Sequence, residues 1–143
     1  MAELALSTRR FLSEQRVARL GTVDEQGRPH IVPIVFVYDQ GILYTPIDSK
    51  PKSVPPERLR RVRSIEANPH VQVLVDHYDE DWQRLGYIQL RGSAELIKQG
   101  AEYQRAIGLL EEKYEQYEEL PLEGRPVIKI SVERTVTWGQ FAT

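Results

Sequence analysis

Residues 16–47 read "RVARLGTVDEQGRPHIVPIVFVYDQGILYTPI". Two runs of turn residues cut this stretch into three. "DEQGRP", 24–29, reads as a loop, with Gly27 the position for a positive φ. "DQG", 39–41, reads as a tight turn. The pieces between them read as strands: "RVARLGTV", "HIVPIVFVY" and "ILYTPI". The middle piece is almost continuously apolar and rich in β-branched residues, the pattern of a strand buried on both faces. Pro33 interrupts it and predicts an edge or a bulge, because proline brings no N–H to a ladder. Three strands on short turns predict an antiparallel meander.

Working outward, residues 4–15 predict a short helix, capped by Ser7 or Thr8 and docked by Phe11 and Leu12. Leu59, Val62 and Ile65 recur every three residues and predict a second helix over 57–67. Pro56 suits its first turn and Asn68–Pro69 ends it. "HVQVLVDHY" alternates, with Val71, Val73 and Val75 on one face. "DEDWQRLG" is a polar connection, and "YIQLRGSAELI" a strand with a bend or bulge at Gly92. Over 99–118, Tyr103, Ile107, Leu110, Tyr114 and Tyr117 step by four and three, so they share one helical face. "PLEGRP" breaks that helix. "VIKISVERTVTWG" is the last strand, with Ile128, Ile130, Val132, Val136 and Trp138 in one phase. The expected fold is mainly β, a small closed or partly closed barrel of about six antiparallel strands with a few helices. One domain covers residues 1–143.

Composition narrows the function. The chain is 41% hydrophobic and 28% charged, as in a soluble globular domain. It has no cysteine, which excludes disulfides, a thiol nucleophile and thiolate metal ligation. That composition suits a reducing cytoplasm. "MAELALSTRRFLSEQ" lacks the apolar core of a signal peptide, and no apolar run nears the roughly 20 residues of a membrane helix. A net charge of −2 argues against a general nucleic-acid binder, though not against a local anion site.

Such a local site is suggested by "SKPKSVPPERLRRVRS", 49–64, which holds Lys50, Lys52, Arg58, Arg60, Arg61 and Arg63 against a single acid, Glu57. The lysines fall between a strand and a helix N-terminus, where unpaired N–H groups and the helix dipole favour anions. Arg58 and Arg61 share one helical face, Arg60 and Arg63 another. This geometry suits a phosphate or a polycarboxylate. The competing reading is a solvated basic face paired with the acidic residues at 111–119.

The chain resembles the pyridoxamine-phosphate-oxidase-like split β-barrels that bind flavins, and within them the small group that uses the deazaflavin coenzyme F420. The resemblance rests on residues 16–48, on "KPK", on "LRRVRSIEANPHVQVLVDHYDEDW" and on "LRGSAEL". It implies a homodimer with two cofactor sites at the subunit interface. By the same resemblance, Lys50, Lys52 and Arg61 would hold the cofactor phosphate, with a hydroxyl from Ser49 or Ser53. The ring would lie against backbone around His30 to Pro33 and around Thr45, Pro46 and Ile47. Trp82 and Trp138 are candidates for the ring or the dimer wall. FMN carries one phosphate. Coenzyme F420 carries a phosphodiester and a glutamate tail, so six basic residues fit F420 better than FMN.

Other signals are weaker. His77 with Asp76, Asp79, Glu80 and Asp81 matches no zinc or calcium spacing and reads as an acidic surface turn, so no metal is expected. His70 reads as exposed, and Arg91 as reaching the anion site or pairing with a carboxylate. There is no Ser–His–Asp order, P-loop or dinucleotide fingerprint. That absence suits a flavin or deazaflavin, which brings its own hydride chemistry to a small-molecule substrate. A cofactor carrier or sensor, a polyanion-docking module without catalysis, and a haem-handling protein using His30 or His77 remain competing classes.

Overall fold

The computed structural model describes residues 4–47 and 59–139. Its elements are α1 (Leu6–Glu14), β1 (Ala18–Val23), β2 (Pro29–Ile34), β3 (Val37–Asp39), β4 (Ile42–Pro46), α2 (Arg60–Ala67), β5 (His70–His77), β6 (Gly86–Ile97), α3 (Ala101–Lys113) and β7 (Val127–Gly139). Short 3-10 turns sit at Trp82–Arg84 and Glu115–Glu118. Among the described residues seven strands, one more than expected, make a single antiparallel sheet in the order β2-β1-β5-β6-β7-β4-β3.

That order forces the sheet to curl. β2 and β3 are its opposite edges, yet only Val35 and Phe36 separate them in sequence. Six inter-strand steps would span about 29 Å in a flat sheet. Three Cα–Cα steps reach at most about 11 Å. The edges must therefore approach each other without pairing, giving a barrel split along one seam. The stretch expected to be one strand, 30–38, is thus two. The expected meander is broken as well, because β4 pairs with β3 and β7 and not with β2. The edge expected at Pro33 is present, since β2 pairs only with β1. As an edge strand β2 is half exposed, not buried on both faces.

Phe36 fills the seam, fully buried. Its N–H donates to Tyr114 Oη at 3.1 Å, and that hydroxyl can donate to the carbonyl of Phe36 at 3.1 Å or of Arg16 at 3.0 Å. The crossover backbone is buried yet satisfied, as burial of polar groups requires. The β3–β4 hairpin turns on Gln40 (φ 48°) and Gly41 (φ 86°), the two positive φ values of a tight two-residue loop.

Two cores result. Inside the barrel, Leu20, Leu43, Val73, Val75, Ile88, Leu90, Ile128 and Ile130 pack with Phe11 and Leu12 of α1 and Val62 and Ile65 of α2. Outside it, Tyr103, Ile107, Leu110, Tyr114 and Tyr117 cover Tyr44 and Val127, so the expected aromatic stripe is packing. The helix expected to run to 118 ends at Lys113, with Tyr114 extended at its C-cap and Tyr117 in the following 3-10 turn. The N-cap of α1 is Ala5, without a side-chain cap bond. Ser7 and Thr8 lie inside the helix, and Thr8 is buried. α2 ends at Asn68 as expected, while residues 57–58, its expected start, lie outside the described residues.

A bulge resets the phase of β7. Arg91 pairs with Arg134 and Gly92 with Val132, so Glu133 is the extra residue. Gly92 is what permits this approach, because a Cβ there would collide with the Ser131 carbonyl. Ile128, Ile130 and Val132 point inward. Beyond the bulge Thr135 and Thr137 oppose the buried Leu90 and Ile88, and Val136 and Trp138 oppose Gln89 and Tyr87 on the outer face. Trp138 is therefore not in phase with Ile128, contrary to the alternation read from the sequence.

Candidate functional site: the basic helix and the open edge

Val62, Ser64 and Ile65 bury one side of α2 against β1 and β6, which leaves its arginines around the rim of that contact. Arg60, Arg63 and Ser64 face the β1–β2 turn across a cleft of about 430 Å³, with Asp24, Glu25 and Arg28 opposite. Gly27 takes φ 79° in that turn, as its sequence predicts. Asp24 accepts from the N–H groups of Gln26 and Arg28 at 2.9 Å and from Arg28 Nε at 3.0 Å. The backbone bond from Arg28 is the main reason its carboxyl lies below 3.8. Asp24 thus neutralises Arg28. Arg60 and Arg63 have no carboxylate partner among the described residues.

The β1–β2 ladder holds a more buried group. His30 opposes Thr22 across the β1–β2 ladder, on the inner face. His30 Nδ1 and Thr22 Oγ1 are both buried without a hydrogen-bond partner. Burial pushes the His30 pKa below 6.5, and the charges of Arg60 and Arg61 push it the same way. Its imidazole is neutral at neutral pH. Arg61 is half buried and its Nε is fully so. A neutral imidazole and a hydroxyl without partners, in the field of two guanidinium groups, suit an oxyanion.

The structure pairs His30 with Thr22 across the ladder and sets it in the field of Arg60 and Arg61. Thr22 was legible in principle: it and His30 are equally placed about the turn that Gly27 makes. Lys50, Lys52, Ser49 and Ser53 lie outside the described residues. Pro33 faces outward opposite Arg19, so His30 and Pro33 do not share one surface. Thr45 and Pro46 are buried in β4, four strands from β1 along the sheet, and line neither this cleft nor the groove on the outer face. Trp82 (72% exposed) and Trp138 (51%) stand at the far end of the β5–β6 hairpin, and Trp138 stacks on Tyr87 at 5.6 Å. Trp138 lies in register with Asp76, and Thr22 follows the Gly21–Gln72 pair. Five residues along a strand separate the two ends by about 17 Å. Within one chain, neither tryptophan reaches the His30 group.

The outer face beside β2 forms a mainly apolar groove of about 860 Å³ lined by Gly21, Val23, Pro29, Ile31 and Leu74 with Arg91 at its side. Ile31 is 68% exposed there. At the hairpin, His77 lies 3.8 Å from Asp79, while Asp79 and Asp81 accept backbone N–H groups of the 3-10 turn. Those acids cap a turn. Among the described residues no helix is long and apolar enough to cross a membrane.

A seven-stranded antiparallel barrel split along one seam, with a basic helix beside its open edge, defines the split β-barrel class. The chain belongs to the pyridoxamine 5'-phosphate oxidase family, whose model matches residues 7–139. No curated protein sequence matches it. Solved structures with this fold include HutZ, the heme storage protein from Vibrio cholerae, at 20% identity and TM-score 0.72, over 96% of this chain and 95% of that one. A Listeria innocua protein provisionally named pyridoxamine 5'-phosphate oxidase is 25% identical, with TM-score 0.67 over 95% and 100% of the two chains. A heme binding protein from Mycobacterium smegmatis is 14% identical, with TM-score 0.74 over all of this chain and 57% of that one.

Proposed function

We propose that this chain is an oxidoreductase that holds a flavin-type cofactor by its phosphate, coenzyme F420 in preference to FMN, and reduces a small organic electrophile. The observation that carries this reading is the buried His30–Thr22 pair, without hydrogen-bond partners and in the field of Arg60 and Arg61. Arg61 and His30 would donate to phosphate oxygens, each charge-assisted bond contributing about 1.5–3 kcal/mol. Arg60 and Arg63 lack carboxylate partners among the described residues and line the adjoining cleft. They extend the positive field outward, which favours a cofactor with a longer anionic tail. The cofactor supplies hydride chemistry when bound, and the protein's part is to position it and exclude water.

In this reading the working form is a homodimer. A ring contact from Trp82 or Trp138 needs a second copy, because about 17 Å separates them from His30 within one chain. The outer groove around Ile31 offers the apolar surface for that copy.

A second reading has a specific observation behind it. A neutral imidazole with a buried, unpartnered Nδ1 is also what a haem ligand requires, and two solved structures of this fold are heme proteins. Titration with coenzyme F420, FMN and haemin separates the readings. Saturable F420 binding, lost in Arg60→Ala/Arg61→Ala, supports the first. A haem Soret band that shifts in His30→Ala replaces it with the second. Binding of none of the three overturns both.

A further inference from the structure

We propose that the cleft between α1, the β3–β4 hairpin and α3 is a separate site for an amphipathic carboxylate, whose head sits between Arg16 and Lys113. The cleft holds about 1080 Å³ and shares no residue with the cleft beside α2. Arg16 Cζ lies 4.5 Å from the centre of the Tyr114 ring. Lys113 Nζ lies 5.4 Å from the same centre and 3.9 Å from that of Phe36. Two cations thus lie against one aromatic ring. Their hydrogen bonds go to carbonyls: Arg16 Nη2 donates to the carbonyl of Lys113 at 2.8 Å, and Lys113 Nζ to that of Leu12 at 3.3 Å. Neither has a carboxylate partner among the described residues.

Acids nearby do not fill this role. Asp39 is held by Arg105 Nε and Nη2, both at 3.0 Å. Glu112 lines the cleft without bonding either cation. Like charges packed together over a buried ring raise each other's energy, and an anion between them lowers it. Burial, then the charge of Arg16, brings the Lys113 pKa down from 10.5 to about 8. The rest of the wall is mixed: Arg9, Ser13, Asp39, Gln40 and Glu112 are polar, and Leu4, Val37, Leu109 and Val132 form the apolar part, where a short hydrocarbon body behind the carboxylate would lie.

The test is calorimetric titration of the full chain with octanoate and, separately, with 1-octanol, at about pH 7. Octanoate is expected to saturate, and octanol to bind at least about tenfold more weakly. Lys113→Met should weaken octanoate by about tenfold or more, and Arg16→Gln does the same should Lys113→Met fail to fold. Arg61→Ala should leave octanoate unchanged. The cleft around Lys113 is lined by Arg9 and Arg16 from the α1 side, Tyr38 and Asp39 from β3 and Glu112 from α3, with Tyr114 just past the end of α3. Burial keeps the Tyr114 phenol above 10, so Lys113 titrates first and affinity should fall as pH rises past about 8. Equal binding of octanol, no saturation by about 10 mM, or insensitivity to the Lys113 and Arg16 variants overturns the site.

Discussion

Tyr114 closes the seam of the barrel through one hydroxyl. It accepts the Phe36 N–H and donates to a carbonyl of Phe36 or Arg16, the Phe36 bonds being buried and the Arg16 bond partly so. Tyr114→Phe leaves those groups without a partner and should cost about 1–3 kcal/mol in a denaturant titration. His30 acts at the same scale through its proton. Its folded pKa is below 6.5, so between that value and 6.5 the unfolded chain binds more protons than the folded one. Stability is complete above 6.5 and falls as pH drops through the depressed value. Melting curves from about pH 5 to about pH 8 should show this loss, and His30→Gln should flatten it.

At the scale of elements, the β6–β7 ladder is the clearest case of local spacing overruled by a partner. Twelve residues of β6 face thirteen of β7, and Glu133 takes up the difference. Gly92→Ala should destabilise the fold by about 1–3 kcal/mol, because its Cβ meets backbone and not a movable side chain. Trp138 emission reports the change directly, since the bulge sets the face that Trp138 occupies. Unchanged stability in Gly92→Ala would mean that the ladder relaxes elsewhere. On α3, the ammonium of Lys113 is costly to bury at neutral pH. Raising the pH through about 8 toward 10.5 should add stability, and Lys113→Met should remove that dependence.

At the scale of the whole molecule, an apolar outer face lies beside an edge strand, with the buried His30–Thr22 pair on the inner side of that edge. If the working form pairs two such faces, Ile31→Lys should convert a dimer into a folded monomer in light scattering. It should also weaken cofactor binding, since the tryptophans would no longer reach a neighbouring site. A monomeric wild-type protein that still binds the cofactor tightly would separate the two claims and leave the arginine group acting alone.

The sequence by itself determined the elements and the charge. Strands at Ala18–Val23, His70–His77 and Gly86–Ile97, the turn at Gly27, the aromatic face of α3 and the arginines of α2 follow from periodicity, turn chemistry and composition, all properties of neighbouring residues. Only the tertiary structure decided that residues 30–38 supply both edges of one sheet. Sheet order depends on pairings distant in sequence, which no local pattern encodes. It also decided that Trp138 faces outward, because a bulge is a mismatch between two strands and is invisible in either one alone. The same holds at the candidate site. His30 and Arg61 could be picked as residue types, but pairing Thr22 with His30 and docking α2 beside them needed the fold, because proximity across a ladder and a helix contact is decided by packing.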